Sequence, residues 1–248
     1  NEGSTAGSLG GFEKAKVGNY ADSVEAIRER NRKIDAMSGV IRQHVPELDP
    51  KYLDPGMTTL DRQVGHTEVL LGALISGLTN VVAFTVDELG HRYTGLPGIE
   101  GEKVNMHDVG HNKVIGGLKA ETIRELARTH HMTLVDRIVT RLKSVPEAGG
   151  TMFDNTMILY FPENGEGHHS HGTEAPFVVN AGYKCPMDIA GRYIRLPYHS
   201  TQGHKTIGNW YTTLLNAFGN PITHYGDLDL EMSRKKLDQI GAIRRFLT

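Results

Sequence analysis

Val81-Val82-Ala83-Phe84-Thr85-Val86 is a continuous apolar run rich in β-branched residues. A run of this length and composition suits a strand covered on both faces, the kind found in parallel sheets. Two further runs of the same character come later, Met157-Ile158-Leu159-Tyr160-Phe161 and Phe177-Val178-Val179, and residues 192–196 read as a fourth. A long helical pattern over about residues 119–143 separates the first run from the second, with Ile123, Leu126, His130, Leu134, Ile138 and Leu142 on one stripe. Strand, long helix, strand, loop and strand is an α/β order. It predicts a three-layer α/β/α fold around a mainly parallel sheet.

Upstream of Val81 the period is helical. Asp22 can cap a helix, and Glu25 stands three residues on, as in a capping box. Val24, Ile27, Ile34, Met37, Ile41 and Val45 then make an apolar stripe at near-heptad spacing. Pro46, Pro50 and Pro55 end that pattern. A second helix is expected over residues 59–78, and closing helices near 205–218 and 230–247. The organisation expected is an N-terminal linker and helix over residues 1–55, packing on an α/β domain of residues 56–248. The chain opens at Asn1 rather than Met. It therefore reads either as a chain whose leader has been removed or as the C-terminal piece of something longer.

Composition narrows the function classes. A formal charge of -2 offers no basic field for nucleic acid. The longest apolar stretch, residues 69–78, is too short to span a bilayer and is broken by Gly72, Ser76 and Gly77. The single cysteine, Cys185, excludes an internal disulfide and any zinc site built on several cysteines. Lys184 beside it is able to lower a thiol pKa, but with Pro186 next in the chain, the residue reads as structural.

Ligands bind beyond the carboxyl ends of strands in open α/β sheets. Asp87, Glu88 and His91, then His107, Asp108 and His111, come after the first run. Glu163, Asn164, Glu166, His168, His169 and His171 come after the second. Six of the 13 histidines thus fall in two strand-end loops. Carboxylates and imidazoles are the ligand set of zinc, manganese or iron, and the same groups serve as general acids and bases. Parallel neighbouring strands would deliver Asp87, His91, Glu163 and His171 to one edge. His130, on the helix stripe, reads as a packed histidine. No GxSxG elbow, HExxH, GxGxxG or Walker pattern occurs.

Residues 80–227 resemble the C-terminal part of a family of exported bacterial proteins, domain of unknown function 1552. That family is itself similar to the alkaline phosphatase and sulfatase superfamily. The residues that carry the resemblance are Asn80-Val-Val-Ala-Phe-Thr-Val-Asp-Glu88, the long helix ending in Leu142-Lys143, Asp154-Asn-Thr-Met-Ile-Leu-Tyr160, His168-His-Ser-His171 before Ala175-Pro-Phe-Val-Val179, Gly191-Arg-Tyr-Ile-Arg-Leu-Pro197, Asn209 to Leu215 and Tyr225-Gly-Asp227. The resemblance implies an alkaline-phosphatase-like fold, incomplete at the N-terminus, in an exported, periplasmic or cell-surface protein. It further implies a divalent metal (zinc, manganese or calcium) held by Asp87, His91, His171 and Glu163, with Glu163 also catalytic, acting on a small phosphate or sulfate ester. Glu163 and Asn164 stand where the superfamily has an Asp-His pair, and no strand carrying a nucleophile precedes Val81. The alternative is therefore a non-catalytic structural or binding subunit that keeps the fold, with a protein partner or a missing N-terminal segment.

Overall fold

The computed structural model of the chain describes residues 11–87, 92–162 and 177–247, with side chains from Lys14 onward. It divides into two compact units. The first comprises residues 1–53 and 65–84, the second residues 54–64 and 85–248.

The first unit is helical. Helix α1, Gly11–Ala36, is succeeded by α2, Ser38–His44, a 3-10 turn at Pro50–Leu53, and the later turns of α3, Thr59–Ile75. Met37 interrupts the first two helices only slightly. Its N–H still donates to the Lys33 carbonyl at 3.0 Å, and its own carbonyl accepts from Ile41 N at 2.9 Å. The α2 stretch and the chain after it pack closely on α3. A methyl on Gly72 would lie 2.8 Å from the His44 carbonyl oxygen and 3.0 Å from Pro46 Cδ, and one on Gly65 would lie 3.2 Å from Tyr52 Cβ. Gly77, at φ +73°, closes α3. The Leu78 N–H reaches the Ala73 carbonyl and the Gly77 N–H the Leu74 carbonyl, both at 3.0 Å. That is the Schellman pattern, which needs a left-handed residue at this place.

In the second unit β1, Arg92–Tyr93, pairs with β2, Val104–Asn105, and leads into α4, Met106–Gly110, and the long α5, Ala120–Lys143. Strands β3, Pro146–Glu147, and β4, Gly150–Thr151, make a small hairpin. Strand β5, Met157–Tyr160, pairs with β6, Val178–Ala181, in the register Met157↔Ala181 through Tyr160↔Val178. Helices α6, Ile207–Ala217, and α7, Leu230–Arg234, complete the unit.

The three-layer α/β/α, alkaline-phosphatase-like fold with a mainly parallel sheet is not what forms. Among the described residues the sheets are three antiparallel pairs of two strands each. Residues 81–86 join none of them. Val81 is 83% exposed and Val82 40%, and the segment has no regular secondary structure. Within the first unit Phe84 lies beside α3, its ring 6.3 Å from that of His66. The Met157 and Phe177 runs do become neighbours, but as antiparallel strands. Residues 192–196 form no strand, although Ile194 and Leu196 lie against a core. The expected helix over 230–247 stops at Arg234. Asp229 caps it by accepting from Met232 N at 2.8 Å, and Lys236 at φ +53° turns the chain away.

An apolar run reports burial preference but not ladder partners, because the pairing is decided by distant segments. A 3.6-residue period, by contrast, is satisfied locally, which is why α3, α5 and α6 fall where their patterns lie.

Two cores hold the second unit. One gathers Tyr93, Leu96, Ile99, Val104 and Val109 against Ala120, Ile123 and Ala127 of α5. The other gathers Met187, Trp210, Ile243 and Phe246, with Met157, Leu159, Phe177 and Val179 packed on it. Phe177 and Phe246 contact Trp210 at ring-centroid distances of 5.1 and 5.8 Å. The alternate residue Tyr160 meets His131 of α5 instead, as period-two geometry requires of a strand between two layers. Among the described residues no helix is long and apolar enough to cross a membrane.

Candidate functional site

Of the four residues expected to bind metal, only Asp87 is among the described residues. His91, Glu163 and His171 lie outside them, as do Glu88, His168 and His169. Asp87 is exposed at the end of the extended segment. His107 and His111 sit at either end of α4, ring centroids 4.9 Å apart. Asp108 is engaged by Lys113 at 2.7 Å, and that bond holds its carboxyl below the usual range. Among the described residues no group of three or more His, Cys, Asp or Glu side chains could hold a metal ion. Burial raises the Cys185 thiol, while Lys184 donates to the Ala148 carbonyl at 3.0 Å. The thiol is therefore not an activated nucleophile.

Beside Asp87 lies a polar network that the stripe over α5 did not reveal. His131 is only 5% exposed. Its Nε2 lies 2.9 Å from the Tyr93 hydroxyl and its Nδ1 3.0 Å from the Tyr160 hydroxyl. The Tyr93 hydroxyl donates to the Val86 carbonyl at 2.7 Å, which also accepts from the Gln63 amide. With that proton committed, the Tyr93 oxygen can only accept from the imidazole. The network therefore assigns the proton to Nε2 and leaves Nδ1 to accept from Tyr160. The buried face of α5 runs through Ala120, Ile123, Ala127, His131, Leu134, Ile138 and Leu142. His131, not His130, is thus the histidine on that face. The small Ala127 one turn earlier was the available signal, since apolarity there is as consistent with a buried face as Leu126 is.

The electrostatics derive from burial. Burial first, and the Asp87 charge second, raise the Tyr93 phenol far above its usual range. Burial also raises Tyr160; Arg128 opposes the rise and Asp87 adds to it. Burial, with His130 and Arg128 nearby, depresses His131 to about 4. In the unfolded chain it titrates near 6.5. The stabilisation contributed by neutral His131 is therefore complete above about pH 6.5 and is lost as the pH falls toward 4, amounting to about 3 kcal/mol over the window. Urea midpoints measured from pH 7.5 to 4 should fall more steeply for the parent than for His131→Gln. Parallel curves would contradict the assignment.

A second cluster lies near α7. His199 Nε2 is 3.5 Å from Asp229 and Nδ1 3.8 Å from Glu231, with the His204 ring 5.2 Å away. Asp229 is lowered mainly by its cap bond from Met232, and Glu231 mainly by Lys235. These contacts secure the start of α7 and leave the carboxylates ionised. Comparison with family models, with curated proteins and with solved structures finds no match.

Proposed function

We propose that Asp87, His91, Glu163 and His171 form a divalent-cation site for hydrolysis of a phosphate or sulfate ester, in an exported protein of the domain of unknown function 1552 family. The observation that supports this reading best is the hydrogen-bonded chain that links Val86, directly before Asp87, through Tyr93 and His131 to Tyr160. Tyr160 ends β5 and stands three residues before Glu163 in the sequence. His131 anchors this end of β5 to α5 through Tyr160.

Carboxylate and imidazole donors together suit zinc or manganese, and carboxylates suit calcium. A cation there would polarise the ester and acidify a water. Asp87, His91 and His171 would hold the cation. Glu163 accepts the proton of the attacking water. The water oxygen would bond to phosphorus or sulfur, the ester bond to the alcohol would break, and Glu163 would pass the proton it took from water to the departing alcohol oxygen.

The test is metal content by mass spectrometry after loading with zinc, manganese or calcium, alongside hydrolysis of 4-nitrophenyl phosphate and sulfate. Asp87→Asn and His171→Ala should each lose the metal and the turnover, and His204→Gln should keep both. A parent chain that retains none of the three metals removes the reading. The alternative, a non-catalytic binding subunit, draws support from one feature: the exposed apolar stripe on α1, where Tyr20 is 73% and Ile27 55% exposed.

A further inference from the structure

Helix α1 carries a seven-residue repeat on a face that its own unit leaves largely open, with Val24 and Ile34 half-buried and the other seam positions exposed. Val17, Val24 and Asn31 fall at the first core position of successive heptads, and Tyr20, Ile27 and Ile34 at the second. Val17 is 42%, Tyr20 73% and Ile27 55% exposed. The described side chains of α1 include none that is fully buried. Within the unit the hairpin partner runs out. Gly77, just past the end of α3, lies beside the Met37 side chain, while Gly72 and Gly65 lie beside Pro46 and Tyr52. The α1 residues N-terminal to Met37 therefore extend beyond the end of α3.

The polar side of α1 is already used. Glu25 reaches Arg28 at 3.6 Å and Arg32 at 2.6 Å, and Glu29 reaches Arg32 at 3.1 Å and Lys33 at 3.9 Å. Glu25, Glu29, Arg32 and Lys33 occupy the heptad positions opposite the stripe, and Arg28 flanks it. These pairs stabilise the helix and leave the apolar seam clear. Most of a helix's stability in a protein comes from packing its apolar face, so α1 gains from a partner on this seam.

We propose that α1 pairs with α1 of a second copy of this chain, as a parallel two-stranded coiled coil over residues 17–34. Self-complementarity selects the occupant. In a parallel, in-register pair Asn31 meets Asn31 of the other copy, and the two amides satisfy each other inside the seam. A single Asn at this position favours two strands and one register. The same register sets Arg30 against Asp35 of the other copy across the flank, an opposite-charge contact repeated on both sides. An antiparallel pair would place Asn31 against an apolar residue of the partner, stranding a buried amide.

The experiment is sedimentation equilibrium on the full chain, with site-directed cross-linking. The parent should be dimeric at micromolar concentration. Val24→Asp with Ile27→Asp should make it monomeric, while the thermal transition of the second unit stays unchanged. Asn31→Cys, made together with Cys185→Ala, should cross-link almost completely between copies on mild oxidation. A monomeric parent overturns the proposal, and so does a dimer that survives the double aspartate variant. A dimer that Asn31→Cys fails to cross-link overturns the parallel register. Dimerisation does not depend on metal. A metal-free dimer and a metal-bound monomer would therefore separate this inference from the hydrolytic reading.

Discussion

Replacing His131 with alanine is expected to destabilise the second unit by about 3–4 kcal/mol. The change removes a buried ring and leaves a cavity beside Ala127 and Leu134, which are 1% and 3% exposed. It also deprives two phenols of their partner at once. Tyr93 is fully buried and has a second hydroxyl contact at Val86. Tyr160 is half-buried and loses the bond that fixes the end of β5. The transfer and cavity cost of an imidazole contributes roughly 2–3 kcal/mol, and the hydrogen bonds lost at Tyr93 and Tyr160 roughly 1 kcal/mol more. His131→Phe restores most of the volume but neither bond, and should recover only about half of the loss. Urea unfolding of the two variants checks this. A His131→Ala cost under about 1.5 kcal/mol would mean the imidazole is not a structural bridge. Combining His131→Ala with Tyr160→Phe should show coupling, because the two groups share one bond.

His131 also shows what could be read from the chain alone. Its helix was legible, because a period of 3.6 residues marks a buried face wherever the helix packs. The choice between His130 and His131 turned on a rotation of one residue. That rotation is set by what lies opposite, namely Tyr93 and Tyr160, 38 and 29 residues away. No local pattern encodes such a partner. The same limit explains residues 81–86. Their β-branched composition favours extended backbone, yet they join no sheet. Whether an extended segment enters a ladder depends on a neighbour with free edge groups, which composition does not reveal. Strands β5 and β6 were legible as neighbours but not in their direction, since an apolar run of four residues is identical read parallel or antiparallel. Of the candidate site, Asp87 alone can be placed, beside phenols that did not stand out as functional in the sequence.

The close turn that ends β6 is where a single methyl should do comparable damage. Gly182 comes directly after Ala181, and its N–H donates to the Thr156 carbonyl at 2.9 Å, extending the β5–β6 ladder by one bond. A Cβ at this position would overlap the carbonyl oxygens of Phe153 and Asp154. Those atoms belong to the 3-10 turn Met152–Asn155, which has little freedom to yield. The Asp154 carboxylate accepts from Thr151 N at 2.7 Å, the Asp154 carbonyl accepts from Lys184 N at 3.0 Å, and the Thr156 hydroxyl donates to the Met152 carbonyl at 2.7 Å. Moving β6 instead would pull Val179 out of the core around Trp210. Overpacking of side chains costs roughly 1–3 kcal/mol, but here the obstacle is pinned backbone on one side and a core strand on the other. Gly182→Ala is therefore expected to cost about 4 kcal/mol or more. Gly101→Ala is the control, since nothing lies within 4 Å of the added methyl; it should stay within about 0.5 kcal/mol of the parent or gain slightly from the stiffer unfolded chain. Hydrogen exchange separates local from global effects. In Gly182→Ala the amides of Met157–Tyr160 should lose protection ahead of those of Ala120–Lys143, because the overlap acts on the hairpin directly and on the helix only through Tyr160 and His131. Equal stability of the two glycine variants would show that the turn can shift and that the close approach at Gly182 is not a constraint on the fold.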